Sequence, residues 1–373
     1  MRGLRWGLFG FVVVTMGCEL IGGIDERFAQ PFVGAGASGG TGGQACVPDE
    51  TACNPPMGDC DCDAVCGTNL HQDPENCGRC GRSCGAGRAC NAGMCDPEVL
   101  VETLPFVYEL DHDESTVFFG YGGPAARDPI VAIDKATFTM RPVAVASDPA
   151  GVEVRANDVF FTQIFTGGIY RAPRAGGAST LIAPTEAFVN QVEADDEWIY
   201  YGNHDADGYL GVVPIGGGAE VQIGNGPVFA LAHDASHVYF AGHDRIARVA
   251  KASLGGTPVI EPLIEGEGGT PALDDTYVFY DYPPAGEVRR IPKQPTGAIS
   301  ETVIASEPQI SVVTLYGDRL YWRSANGIVT AAKDGSDRRV LAINQPGTSG
   351  LAVDDDYVYW VGYQDLLHRT PSW

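Results

Sequence analysis

A three-residue motif recurs through residues 117–360 of the 373-residue chain: a β-branched residue or leucine, followed by two aromatic residues. Successive copies begin 42, 40, 39, 40, 42 and 38 residues apart. A period near 40 built on strand-forming residues is typical of a β-propeller with one blade per repeat. The seven copies are Val117-Phe118-Phe119, Val159-Phe160-Phe161, Ile199-Tyr200-Tyr201, Val238-Tyr239-Phe240, Val278-Phe279-Tyr280, Leu320-Tyr321-Trp322 and Val358-Tyr359-Trp360.

Each repeat contains the signals of four strands, which we name A to D. Strand A is a short apolar stretch that ends in an acidic turn, such as Leu273-Asp274-Asp275. The aromatic motif is strand B, and a second apolar stretch such as Ile246 to Val249 is strand C. A glycine-rich or Asp-Gly turn then leads to strand D, for example Arg339 to Ile343. Tight turns between four strands predict four-stranded antiparallel blades. Because the acidic A–B turns recur in nearly every repeat, we expect them to be structural.

The two ends of the repeat region predict how the ring closes. The seventh repeat contains strands A, B and C but no strand D. A segment with strand character, Glu98 to Glu102, stands ahead of the first repeat at the position of a strand D. We therefore predict that this segment completes the last blade, because an open edge strand invites aggregation. The expected fold is all-β, a seven-bladed propeller over residues 97–373 that follows a small disulfide-rich module.

Two repeats carry a resemblance to a known family. The segment from Asp318-Arg319-Leu320-Tyr321-Trp322 to Val340-Leu341, and the segment Asp356 to Trp360, resemble repeats of the YWTD propellers of low-density-lipoprotein-receptor-type proteins. The aspartate that follows the Tyr-Trp-Thr step in that family is absent, and those propellers have six blades. The resemblance implies a binding scaffold rather than an enzyme.

The first 45 residues have the character of an export and anchoring segment. Arg2 and Arg5 precede an apolar run, Trp6 to Met16, which is too short to span a bilayer. The residues Thr15-Met16-Gly17-Cys18 resemble the lipobox of bacterial lipoproteins, which implies a signal peptide over residues 1–17 and a lipid on Cys18. The alternative is an ordinary signal peptide with an incidental cysteine. Residues 18–45 would then be a tether rich in glycine and serine.

Residues 46–96 hold ten of the eleven cysteines. An even number after an export signal predicts five disulfides of unknown pairing, which would stabilise a module too small to bury a core. The stretch Asn76 to Cys95 resembles a Cys-rich repeat of secreted and lipoprotein chains of bacteria. A zinc site at Cys77 and Cys80, near His71, is the alternative. The ten are Cys46, Cys53, Cys60, Cys62, Cys66, Cys77, Cys80, Cys84, Cys90 and Cys95.

The chain is strongly acidic, with a formal net charge of −24. Removal of residues 1–17 takes away Arg2 and Arg5, so the processed chain would carry −24 − 2 = −26. Such a charge disfavours nucleic acid and anionic membrane surfaces as partners. It is compatible with a basic partner or a cation, and it also keeps an exported protein soluble.

Catalytic motifs are scarce in the sequence, and one pattern of ionisable residues stands out. His204-Asp205 and His243-Asp244 occupy matching B–C loops of repeats three and four, and Asp207 and Arg245 stand close by. B–C and D–A loops share one face of a propeller, so we predict a ligand face there. Asn203, Asp205 and Asp207 also copy the first half of a calcium loop, although Pro214 replaces its last ligand. A solvated hairpin is the alternative to calcium.

The sequence thus predicts an exported, lipid-anchored protein of the bacterial cell envelope, with the outer membrane preferred to the inner. Its expected partner is a protein, peptide or glycan, which a monomeric propeller binds without catalysis. The alternative is a propeller enzyme, a lyase or hydrolase that works in the central funnel with a His-Asp pair as general base. A purely structural envelope component is the third hypothesis.

Overall fold

The computed structural model describes residues 53, 56–61, 66–102, 107–122, 128–295, 297–345, 349–362 and 366–373. Seven four-stranded antiparallel sheets form the blades of one propeller. Strands A to D of blade 1 are Val107–His112, Thr116–Tyr121, Asp128–Asp134 and Met140–Ala146, and those of blade 2 are Pro149–Arg155, Asp158–Gln163, Ile169–Pro173 and Thr180–Ala183. Strands A to D of blade 3 are Val189–Ala194, Trp198–Asn203, Leu210–Pro214 and Val221–Ile223, and those of blade 4 are Ala230–His233, His237–Ala241, Arg245–Ala250 and Ile260–Glu265.

The last three blades complete the ring. Their strands A to D are, for blade 5, Pro271–Leu273, Tyr277–Tyr282, Glu287–Pro292 and Thr302–Ser306; for blade 6, Ser311–Tyr316, Arg319–Ser324, Gly327–Ala332 and Arg339–Ala342; and for blade 7, Ser349–Val353, Tyr357–Gly362, Leu366–Pro371 and Glu98–Val101. A single-turn 3₁₀ helix, Lys251–Ser253, follows strand C of blade 4. None of the helices among the described residues has the length and apolar character needed to cross a membrane.

The predicted closure of the ring is confirmed. Val99 pairs with His368 and Glu98 pairs with Arg369, so the segment ahead of blade 1 is the outer strand of blade 7. The Arg369 Nε atom donates a hydrogen bond of 2.7 Å to the Glu98 carboxylate. The seven-bladed ring is confirmed as well, whereas membership of the YWTD family is not shown.

The aromatic motif repeats because strand B forms the middle of each blade. Strands A of neighbouring blades contact one another around the axis, so strand B lies between strand A and strand C with a neighbouring blade on each face. All 21 residues of the seven motifs are at most 5% exposed. Burying one such side chain contributes roughly 1.5–3 kcal/mol, so this layer supplies much of the core.

The acidic A–B turns are structural, as predicted. In blade 3 the Asp195 carboxylate accepts hydrogen bonds from the backbone N–H groups of Glu197 and Trp198, both 2.8 Å, which fixes the turn. The same pattern occurs at Asp113, Asp234, Asp274 and Asp354.

Each of these aspartates also binds a cation from the next blade. Lys251, directly after strand C of blade 4, places its Nζ atom 2.6 Å from Asp195 and 5.1 Å from the centre of the Tyr200 ring. We call this arrangement the inter-blade clasp: a turn aspartate, with a cation that follows strand C of the next blade. The other four clasps are Asp113 with Arg174, Asp234 with Lys293, Asp274 with Lys333, and Asp354 with Lys135.

The two remaining interfaces lack both halves of the clasp. The A–B turns of blades 2 and 6 are two-residue hairpins, and Arg155 and Tyr316 occupy the position of the turn aspartate there. In the blades that follow them, Ile215 and Ser372 occupy the position after strand C. Aspartate and cation are therefore present together or absent together at all seven interfaces.

The disulfide-rich module is small and docks on the end of the propeller chain. It contains two short hairpins, Met57–Gly58 with Thr68–Asn69 and Cys90–Asn91 with Met94–Cys95. The buried Arg82 donates hydrogen bonds to the carbonyl oxygens of Pro371 (2.9 Å) and Ser372 (3.2 Å). Its guanidinium also lies 5.4 Å from the centre of the Trp373 ring. Burial and the neighbouring Arg79 lower the pKa of Arg82 to about 10.

Four disulfides join the described cysteines: Cys53–Cys66, Cys60–Cys80, Cys77–Cys90 and Cys84–Cys95. Cys46 and Cys62, the other two of the ten, lie outside the described residues, as does Cys18. The zinc alternative is wrong, because Cys77 and Cys80 are both engaged in disulfides and have no thiolate to offer a metal.

Candidate binding face

The predicted ligand residues lie on the face formed by the B–C loops and D–A connections of blades 2 to 4. In blade 3, His204 packs edge-on against Phe188 of the preceding D–A connection, with ring centres 5.5 Å apart. In blade 4, His243 packs edge-on against Phe229 in the same way, at 4.4 Å. The repeated histidine thus has a structural partner in each blade: a phenylalanine that leads into the same blade.

Backbone hydrogen bonds join these loops into one surface. The Phe188 N–H donates to the Ile164 carbonyl (2.5 Å), which places Phe165 on the neighbouring loop of blade 2. The His204 N–H donates in turn to the Phe188 carbonyl at 3.0 Å. In the next connection, the Val228 N–H donates to the Asn203 carbonyl at 2.9 Å. These joined loops carry the two Phe–His pairs and Phe165, and we call the five side chains, Phe165, Phe188, His204, Phe229 and His243, the aromatic patch.

Phe188 is held in an unfavourable backbone conformation. Its φ angle is +66°, in the left-handed region where a bulky side chain is a rare outlier. The equivalent positions of blades 2 and 6 are Asp148 (φ +50°) and Gln309 (φ +59°), so the turn needs this conformation but not an aromatic residue. The Phe188 ring is nevertheless 38% exposed, and Phe165 is 57% exposed. A strained backbone angle at a residue with an exposed aromatic side chain is typical of a functional position.

The loops around the aromatic patch are acidic. The B–C and D–A segments of blades 2 to 4 (147–148, 164–168, 184–188, 204–209, 224–229, 242–244 and 266–270) contain no lysine or arginine. Burial lowers the pKa of His204, so its imidazole is neutral at physiological pH. The acidic residues of these segments are Asp148, Glu186, Asp205, Asp207, Asp244 and Glu267.

Asp244 and Arg245 form an ion pair with each other, in which the Arg245 Nη2 atom lies 2.9 Å from the Asp244 carboxylate. They border a depression of about 10 Å³ between Gly226, Val228 and Gly242. Such a volume holds about one water molecule, so this depression is too small for a small-molecule ligand. A larger groove of about 330 Å³ lies elsewhere, beside the C–D hairpin of blade 2.

In the predicted calcium loop, the asparagine side chain forms hydrogen bonds with backbone groups. The Asn203 side chain accepts a hydrogen bond from the Asp205 N–H (2.9 Å) and donates one to the Ala187 carbonyl (3.1 Å). Asp205 and Asp207 are exposed on the same loop. The calcium site therefore stays a prediction, in which Asn203 would have to exchange a loop hydrogen bond for the ion.

A second group of ionisable residues, which sequence reasoning missed, lies close to the propeller axis. Asp111, Glu153 and Glu193 occupy the same register position on strand A of blades 1 to 3, opposite the middle aromatic of strand B. Blades 4 to 7 place Ala232, Ala272, Thr314 and Ala352 there. Together with Glu109, whose carboxylate accepts a 3.0 Å hydrogen bond from the Val152 N–H, these acids form the inner acid cluster.

Burial controls the protonation of the inner acid cluster. Glu109 and Glu193 are fully buried, and Glu153 is 7% exposed. Burial first, and then the neighbouring carboxylates, raise the pKa values of Glu109 and Glu153 well above the ordinary glutamate value. His233, with its Nε2 atom 3.9 Å from Glu193, does not neutralise them, since burial and Lys251 lower its pKa to about 4. Burial therefore favours the protonated, neutral form of Glu109 and Glu153.

Comparisons with known proteins support the fold alone. No protein-family model matches the chain, and no curated protein matches its sequence significantly. Among solved structures it is similar to BamB from Moraxella catarrhalis, with 13% identity over 73% of this chain and 86% of that chain and a TM-score of 0.52. It is also similar to virginiamycin B lyase from Staphylococcus aureus, with 15% identity over 74% of this chain and 99% of that chain and a TM-score of 0.59.

A third similar structure is the WD40 β-propeller domain of Doa1, with 11% identity over 74% of this chain and 95% of that chain and a TM-score of 0.60. BamB, a lyase and a WD40 domain thus share this architecture. At such low identity the fold carries no function with it, so the function has to be argued from the aromatic patch and the inner acid cluster. The chain is a seven-bladed β-propeller of four-stranded blades with a disulfide-rich module at its N-terminal side.

Proposed function

We propose that this chain is an exported, lipid-anchored envelope protein that binds a protein or peptide, without catalysis, on the B–C/D–A face of blades 2 to 4. The observation that carries the proposal is the aromatic patch. Exposed aromatic side chains that lie together on a rigid scaffold are typical of protein-binding surfaces. The acidic loops around the patch disfavour an anionic glycan.

The inner acid cluster is the observation that supports the enzyme alternative. Carboxyl groups with raised pKa values are suitable general acids. Glu109 and Glu193 are nevertheless fully buried between the strands A, so a substrate would reach them only if the blades separated. Binding is therefore the better-supported function.

The proposal is tested by a substitution that separates binding from stability. Phe188→Gly removes the aromatic ring and relieves the left-handed backbone, so we expect an unchanged or higher melting temperature together with weaker partner binding. Gln309→Gly is the matched control, because it relieves the equivalent position of blade 6 and removes no aromatic ring.

Binding is measured in cells with a photo-crosslinking residue at Thr166, on the B–C/D–A face, and at Ala235, on the opposite face. We expect one defined protein adduct from position 166, reduced by Phe188→Gly and unaffected by Gln309→Gly. Adducts of equal yield from both positions would show that this face binds nothing specific. Turnover of a substrate by the purified chain, lost on Glu153→Gln, would establish the enzyme alternative instead.

A further inference from the structure

We infer that the aromatic patch takes a cationic segment of its partner protein, one rich in arginine or lysine. This inference rests on the proposed function of the B–C/D–A face and specifies the chemistry of its partner. It is carried by the charge around the patch, by the exposure of its rings and by the way the propeller binds its own cations.

The two faces of the propeller differ in the lysine and arginine residues that they carry. On the opposite face, cations stand directly after strand C in five blades, and each is engaged by a turn aspartate in a clasp. The loops of the B–C/D–A face in blades 2 to 4 contain six acidic residues and no lysine or arginine. Glu186, Asp205, Asp207 and Glu267 are all exposed there. Arg245, at the start of strand C of blade 4, is paired with Asp244.

The exposed rings suit a guanidinium or ammonium group. A cation within about 6 Å of an aromatic ring is attracted to its face, most strongly when acids nearby add to the negative potential. The chain uses this contact repeatedly within its own fold, for example Arg289 at 3.8 Å from the centre of the Tyr282 ring and Arg369 at 4.0 Å from that of Tyr357. Phe165 and Phe188 offer the same ring chemistry to an outside molecule.

A free metal ion fits this surface less well than a peptide. Within the part of the chain that the structure describes, one group of three potential metal ligands comes close enough together to hold an ion, and it consists of Cys77, Cys84 and Cys95, all in disulfides. The acids around the patch are spread over several loops, and only Asp205 and Asp207 share one with each other. Spaced acids between exposed rings match spaced basic side chains along one extended segment.

The test compares two variants that each lose four negative charges. The face variant carries Glu186→Gln, Asp205→Asn, Asp207→Asn and Glu267→Gln. The control variant carries Glu114→Gln, Glu197→Gln, Asp275→Asn and Asp356→Asn, exposed acids of the A–B turns on the opposite face. The probes are a fluorescent peptide of alternating arginine and glycine, its glutamate counterpart, and a random peptide library selected on the parent protein.

We expect the arginine peptide to bind the face variant about tenfold more weakly than the parent, and the control variant within about twofold. The glutamate peptide should not bind. If the two variants weakened binding of the arginine peptide equally, the effect would come from overall charge, and the inference would be overturned. Library peptides that need Phe188 but are neutral or acidic would also overturn it, and would leave the proposed function standing. A library without any peptide that depends on Phe188 would overturn both.

Discussion

The Nζ atom of Lys251 in blade 4 lies 2.6 Å from the carboxylate of Asp195 in blade 3. Asp195 also accepts a 2.5 Å hydrogen bond from the hydroxyl group of Tyr200, the middle aromatic of its own blade. One carboxylate therefore fixes a turn, orients a core aromatic and holds the next blade. Burial alone would raise the pKa of Asp195, but the hydrogen bonds from Lys251, Tyr200 and the turn backbone hold that pKa well below its usual range.

Breaking this clasp should destabilise the ring. We expect Lys251→Met to lower the free energy of unfolding by about 2 kcal/mol, because it leaves a partly buried carboxylate without its charged donor. Ile215→Met, at the equivalent position of blade 3 where no clasp exists, should cost well under about 1 kcal/mol. Urea denaturation of both variants measures the difference, and equal costs would mean that the clasp contributes nothing.

The same clasp predicts a dependence on acid. Because the folded-state pKa of Asp195 is depressed, its contribution to stability is present above the ordinary aspartate pKa and is lost as the pH falls below it. The difference between the parent and Lys251→Met should therefore shrink as the pH is lowered below about 4. A difference that stays constant with pH would show that Lys251 acts by packing rather than by charge.

The inner acid cluster predicts the opposite trend. The pKa of Glu153 is raised in the folded state, so its stabilising proton is fully present below the ordinary glutamate pKa and is released as the pH rises through the folded-state value. Glu153→Gln should therefore raise the melting temperature at about pH 8 and change it little at about pH 4. Glu197→Gln, an exposed A–B turn acid, is the control and should have little effect at either pH. A lower melting temperature for Glu153→Gln at about pH 8 would contradict the prediction.

Ring closure can be tested without changing the chain length. Replacing Glu98–Val101 by glycine and serine should remove the outer strand of blade 7, expose the edge of Leu366–Pro371 and cause aggregation or loss of cooperative unfolding. Val99→Ser, which changes one side chain that is 42% exposed, should unfold as the parent does. Differential scanning calorimetry and light scattering distinguish the outcomes, and a cooperative, monomeric replacement variant would refute the role of this strand.

Anchoring remains a prediction about residues outside the described part of the chain. Cys18→Ser should release the protein from the membrane fraction, because a lipid on Cys18 is the one hydrophobic attachment that the sequence suggests. Fractionation at high salt measures it, with Cys18→Ala as a second variant. If both variants stay in the membrane fraction, the lipoprotein hypothesis is wrong.

The blades could be predicted from sequence because their determinants are periodic. The aromatic motif returns every 40 residues or so, the turn aspartate returns in five of the seven blades, and the strand near Val99 supplies the strand D that the last repeat lacks. The clasp cations were missed although their signal is equally regular: Lys135, Lys251, Lys293 and Lys333 each stand directly after strand C. Aligning the repeats on strand C would have revealed them.

The candidate site could be predicted only in part. His204 and His243 stood out because they repeat next to an aspartate, whereas Phe188 and Phe229 stand in D–A connections that differ in length and sequence, and Phe165 occurs in one loop. The inner acid cluster was invisible for a different reason. Whether a residue of strand A is sealed from solvent depends on how closely the neighbouring blades approach, as at Gly151, where a Cβ atom would lie 2.8 Å from the Val192 nitrogen. That distance is a property of the closed ring and not of any one repeat.

The hydrogen bond between Arg369 and Glu98 also affects how the ring folds, because it joins the first and last strands of the propeller in the sequence. Its two residues are 271 positions apart, so Glu98–Val101 has no partner strand until all seven repeats are available to fold. During that time it is an unsatisfied edge that can pair with a second chain. Contacts this distant are slow to form, so we expect ring closure to be a late step of folding.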